Sequence, residues 1–159
     1  MRIHRRESVG NGSREEGGII IPDDKGVKTD VSSLSALALA FVGDSVFDLF
    51  IRTMLVGSGK KVRDLHREAV GYVKASAQAA ILERLEPELT QEERDIVRNA
   101  RNAKVNTVPK HADIMDYHYS TAFEALLGYL YLMGQNRRLN DILLMAYNIG
   151  SSDSEIKVE

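Results

Sequence analysis

The chain has 159 residues, 43% of them apolar, no cysteine, and 21 basic against 23 acidic residues for a formal net charge of −2. That length suits one domain with its own core. It leaves no disulfide framework, thiolate metal site or cysteine nucleophile, and no apolar run reaches the length of a bilayer-spanning helix. The charged N-terminus lacks a secretory pattern, so a cytoplasmic protein with no membrane association is expected. Near-neutral charge argues against a nucleic-acid partner unless the basic residues are gathered on one face.

Taken in chain order, residues 1–31 mix Gly, Ser and charged residues without period and read as a disordered tail. Ser32 or Ser33 can cap a helix running to about Val56, stopped by Gly57 and Gly59. Short helices are predicted over Val62 to Ala69 and Tyr72 to Leu85, the second halted near Pro87. Thr90 and Glu93 form a capping box for a helix to about Ala103. A polar loop is predicted from Lys104 to His118, then a helix from Tyr119 or Ser120 to Met133. A last helix after Gly134 ends at Gly150, leaving 151–159 as a second disordered tail. No segment alternates like a strand, so the fold class is all-α.

Two of these helices stand apart. Between Leu34 and Phe47 the only charge is Asp44, and between Thr121 and Met133 it is Glu124. Helices so apolar are predicted to be packed on every side, which sets each acid in or beside the core. An isolated carboxylate there costs several kcal/mol or takes up a proton. Asp44 could pair with a basic residue of another helix, and Glu124 could close a capping box with Thr121. Alternatively, both converge on a hard cation such as Mg²⁺, which favours carboxylate oxygen and keeps several waters. Such an ion can activate water and stabilise charge on a phosphate. Gly43 and Gly128, each about 1 kcal/mol worse than Ala in mid-helix, would let the two helices approach closely. Asp48, one turn after Asp44 on the same face, could add to such a site, but a surface ion pair with Arg52 is the role expected of it.

The basic residues are indeed gathered. From Arg94 to Lys110 there are five basic residues against one acid, Asp95. Arg94, Arg98 and Arg101 share a helical stripe that Lys104 and Lys110 continue, which is either a solvated face or a phosphate track. Lys74, Asn102, His111 and His118 are weaker candidates for phosphate contact.

Phe41-Val42-Gly43-Asp44-Ser45-Val46-Phe47 resembles the signature helix of the ribonuclease III family, and Phe123-Glu124-Ala125-Leu126-Leu127-Gly128 resembles its second acidic motif. The similarity is nearest to the Mini-III subgroup, a catalytic domain without a double-stranded-RNA-binding domain. It runs from about Leu34 to Gly150 through Asp64-Leu65-His66, Lys74-Ala75-Ser76-Ala77-Gln78-Ala79, Arg101-Asn102-Ala103-Lys104 and Tyr119-Ser120-Thr121. The resemblance implies a helical catalytic domain over 32–150 that forms a homodimer through its signature helices. It implies an endoribonuclease cutting double-stranded RNA to 5′-phosphate and 3′-hydroxyl ends, with Asp44 and Glu124 binding Mg²⁺, which Mn²⁺ can replace. The role it implies is maturation of the 23S ribosomal RNA precursor, with a ribosomal protein presenting the substrate. Two acids of the full family site are missing: Ala40 stands one turn before Asp44, and Thr121 three residues before Glu124. The competing readings are a non-catalytic RNA-binding or ribosome-assembly protein on the same fold, and a helical interaction module with both acids in ion pairs.

Overall fold

The computed structural model describes residues 30–104 and 107–156, so the tail expected over 1–31 lies almost wholly outside the described residues. Six α-helices follow one another: α1 Ala36–Val56, α2 Val62–Val73, α3 Ala75–Leu85, α4 Gln91–Arg101, α5 Ile114–Leu132 and α6 Asn136–Ile156. There is no strand among the described residues. No helix of the described residues is long and apolar enough to cross a membrane.

Local chemistry sets most of the boundaries. The cap of α1 is Ser35, whose hydroxyl accepts from the Ala38 N–H at 3.1 Å. Ser32 and Ser33, the predicted caps, belong instead to a single 3₁₀ turn, Val31–Ser33, held by Asp30. The chain leaves α1 through Gly57, and Gly59 takes a left-handed φ of 73°. α2 runs four residues past its predicted end. Lys74, extended at φ −61° and ψ 150°, closes α2 and opens α3 by itself. Pro87 lies in the 3₁₀ turn Glu86–Glu88 that ends α3. The Thr90–Glu93 capping box forms as predicted, with reciprocal bonds of 3.2 and 2.9 Å.

The predicted bounds of the last two helices need correction. α5 starts at Ile114, not Tyr119 or Ser120, with Asp113 accepting from the Asp116 N–H at 3.0 Å. Its first turn carries Ile114 and Met115 exposed, so the apolar period that marks a buried face is absent there. α6 passes straight through Gly150 to Ile156, and residues 151–156 are helix rather than tail. The glycine there serves packing, because a Cβ at 150 would lie 2.7 Å from the Tyr72 ring. Around it, the Tyr72 and Ser151 hydroxyls are 2.8 Å apart, Tyr147 stacks on Tyr72, and Arg84 pairs with Asp153 at 2.7 Å.

α5 is the central element. It packs most extensively on α1, then on α3 and α4. Phe123, Leu126, Leu127 and Leu130 are fully buried, and Phe123 meets Phe47 of α1 edge to face at 5.0 Å between centroids. α6 is tied on by Arg138, which donates to both Glu93 oxygens at 2.7 and 2.9 Å and to the Glu88 carbonyl at 2.8 Å. The expectation of two helices packed on every side holds for most of α5 and fails for α1. α1 buries Leu39, Ala40, Gly43, Val46, Phe47 and Ile51, but leaves Leu37, Leu49 and, at 81%, Phe41 exposed.

Candidate metal centre

The site begins with the crossing of α1 and α5. A Cβ on Gly43 would fall 2.6 Å from the Glu124 carbonyl carbon and 2.9 Å from the Gly128 nitrogen. One on Gly128 would fall 2.8 Å from the Leu39 carbonyl carbon and 3.1 Å from the Gly43 nitrogen. The two glycines therefore face each other, and main chain packs on main chain without a side chain between. This is the close approach their mid-helix positions predicted.

Asp44 follows Gly43, and Glu124 lies one turn before Gly128, so the crossing brings the two acids together. Asp44 stands at the exposed edge of α1, while Glu124 is half-buried. Burial first, and then the Asp44 carboxylate, push the Glu124 carboxyl up from its ordinary value of 4.5 to about 7. The capping reading of Glu124 fails, because Thr121 is buried inside α5 and the helix is capped two turns earlier by Asp113. The ion-pair reading fails for both acids as well: none of the ion pairs formed among the described residues includes either. Asp48, by contrast, pairs with Arg52 at 2.8 Å as expected.

Gln78 of α3 also reaches this place, a residue the sequence reading passed over as a site member. Its side chain is 1% exposed and its amide lies close enough to Glu124 to hold that carboxyl's pKa down somewhat. Neither its nitrogen nor its oxygen completes a hydrogen bond of ordinary geometry. A signal existed in the sequence: Gln78 is the one long polar side chain in the run Ala75-Ser76-Ala77-Gln78-Ala79-Ala80.

Two carboxylates that repel each other, with an unsatisfied buried amide beside them, make a donor set of oxygen that suits a hard divalent cation. No group of three or more His, Asp or Glu that could hold a metal occurs among the described residues; Ala40 and Thr121, the two positions where the family resemblance implies further acids, are buried and bring none.

The basic stripe is placed on α4 and largely spoken for. Arg94 donates to the Glu86 and Pro87 carbonyls at 3.3 Å each, closing the end of α3. Arg98 pairs with Asp95 at 2.8 Å, and Arg101 reaches the Tyr119 hydroxyl at 3.3 Å with its guanidinium over the ring. Lys104 and Lys110 are exposed in the loop before α5, Asn102 is exposed at the end of α4, and Lys74 is exposed at the α2–α3 hinge. His111 sits in the loop at φ 70°. His118 lies inside α5, edge-on to Tyr117, with Nδ1 buried and unpartnered.

Residues 37–135 match the model of the Ribonuclease III domain. The chain is 50% identical to Mini-ribonuclease 3 of Thermoanaerobacter sp. (strain X514), over 77% of this chain and 87% of that protein. It is 51% identical to Mini-ribonuclease 3 of Symbiobacterium thermophilum, over 72% and 88%. The crystal structure of protein FN1578 from Fusobacterium nucleatum superposes with a TM-score of 0.68 at 29% identity, covering 76% of this chain and 97% of that one.

Proposed function

The chain belongs to the ribonuclease III family and is an endoribonuclease of its Mini-III type, and we propose that it is Mg²⁺-dependent, with Asp44 and Glu124 as its metal-binding acids. The observation that carries this reading is the pair of facing carboxylates at the α1–α5 crossing, where Glu124 is pushed to about 7 by burial and by Asp44. Such a pair stores repulsion that a divalent cation relieves. When bound, the cation activates water and stabilises charge on the transferred phosphate. Everything else is done by the chain. The glycine crossing fixes the two helices, α5 withdraws Glu124 from water and so leaves its carboxyl short of a counter-charge that a bound cation would supply, and Asp44 presents its carboxylate at the exposed edge where a backbone phosphate can reach. Mn²⁺ meets the same oxygen donors.

The substrate is double-stranded RNA, cut to 5′-phosphate and 3′-hydroxyl ends, with the 23S ribosomal RNA precursor in the cytoplasm as its source and a ribosomal protein presenting it. Duplex RNA is read through phosphates and 2′-hydroxyls across a shallow groove. Lys104, Lys110, Lys74 and Asn102, all exposed, supply phosphate contacts. Arg98 and Arg101 join them by giving up weak surface contacts, and Arg94 does so only at the expense of the α3 terminus. The chain works as a homodimer. The uncovered face of α1, with Phe41 at 81% exposure and Leu37 beside it, is an apolar patch that a second copy would cover.

Asp44→Asn and Glu124→Gln are expected to lower Mg²⁺-dependent cleavage of duplex RNA by at least about a thousandfold, the scale of losing a key electrostatic group, while circular dichroism and RNA binding stay close to wild type. Cleavage at the normal rate by either variant would remove the proposed site.

A further inference from the structure

We propose that Gln78 is a positioning residue for the cation held by Asp44 and Glu124: its amide nitrogen donates to the Glu124 carboxylate, and its amide oxygen accepts from the cation's hydration water. The inference rests on the metal reading of the two acids and says how so small a site is completed.

Three observations carry it. Gln78 is 1% exposed, yet neither end of its amide completes a hydrogen bond of ordinary geometry, although the Glu124 carboxyl lies near enough to feel it. Buried side-chain amides are nearly always satisfied, and an orphaned one is a standing cost that a leucine of similar size would not carry. The polar group it lies beside is the half-buried Glu124, an acceptor once ionised and therefore a match for the amide N–H. Finally, no third acid or histidine gathers with the two carboxylates among the described residues, so none is there to orient them. Metal-ligating carboxylates are themselves commonly held by a hydrogen-bond donor, and removing that donor weakens metal binding.

The fold places the amide deliberately. Lys74, extended between α2 and α3, restarts the helix, and the Gln78 N–H bonds its carbonyl at 3.0 Å. Gln78 thus stands on the first turn of α3, where the chain's direction is set by the hinge. α3 packs on α5, and Gln78 is the buried polar side chain of that first turn.

Mn²⁺ binding to the full chain, followed by electron paramagnetic resonance without RNA across a pH series, tests this together with metal-free melting temperature. Gln78→Leu should weaken Mn²⁺ about tenfold to a hundredfold and move the pH midpoint of binding upward, with the metal-free melting temperature unchanged or raised. A residue that only packs would give the same melting result with unchanged Mn²⁺ affinity, and affinity within twofold of wild type overturns the proposal. If Gln78→Leu does not fold, Gln78→Met, which adapts to irregular space, is read in the same way. Asp44→Asn and Glu124→Gln run alongside. Loss of Mn²⁺ in those two with none in Gln78→Leu rejects the role of Gln78 alone, whereas retention of Mn²⁺ in those two rejects the metal centre itself.

Discussion

Glu93 at the start of α4 and Glu124 in the middle of α5 are both withdrawn from water, and their surroundings treat them in opposite ways. Glu93, 4% exposed, receives two hydrogen bonds from Arg138 and one from the Thr90 N–H. Arg138 above all holds its carboxyl below the usual value. Glu124 faces another acid and an amide that has no settled partner. One glutamate is a finished joint between α4 and α6. The other is held in a state that only an added positive charge completes. What sets the two apart is their partners rather than their exposure, since by exposure alone Glu93 is the more enclosed of the two.

That contrast can be broken in three ways. The severest is steric. Gly43→Ala or Gly128→Ala forces apart two backbones where the acids meet, and because no side chain can yield, a loss of roughly 4 kcal/mol is expected in urea unfolding. A loss under about 1 kcal/mol would mean the crossing is looser than described. Next comes Arg138→Met, which strands Glu93 and should cost about 3 kcal/mol at neutral pH while leaving cleavage per folded molecule intact. The folded Glu93 pKa is depressed, so its contribution is present above the ordinary 4.5 and lost as pH falls through the folded value. The Arg138→Met deficit should therefore shrink in acid. Smallest is Glu124→Gln in metal-free protein. Here the folded pKa is raised, so the folded chain binds more protons between 4.5 and about 7 and loses stability as pH climbs through that window. Glu124→Gln should then stabilise the chain at pH 8 and do nothing measurable at pH 4. Melting curves in chelator at the two pH values decide it, and stabilisation equal at both would contradict the facing-acid picture.

The site was legible in the sequence because it violates a pattern. A lone acid in a long uncharged stretch, twice (Leu34 to Phe47 and Thr121 to Met133), with a mid-helix glycine beside Asp44 and one turn after Glu124, is readable from hydrophobic patterning alone, and the motif resemblance gave the pair a chemistry. What escaped reading depends on contacts distant in sequence. Gly150 looked like a helix terminator because nothing local reveals that Tyr72 lies against it. The first turn of α5 was taken for loop because Ile114 and Met115 point to water. α1 looked wholly enclosed because composition cannot tell a core face from the uncovered one that carries Phe41. Gln78 was passed over because a lone polar residue among alanines acquires meaning only when α3 is laid on α5.

The reciprocal glycine contact has a consequence for how the centre can change. At most active centres the separation of two ligands is adjustable, since a longer or shorter neighbour shifts one element against the other. Here Gly43 and Gly128 meet main chain directly, so the Cα positions of Asp44 and Glu124 behave like the jaws of a caliper locked at its stop. Substitutions nearby can rotate the carboxylates, or free the amide that steadies them, but cannot alter the jaw width. On the proposed metal reading, any change in the ion preferred would have to come through the groups around the pair rather than through the spacing of its backbones.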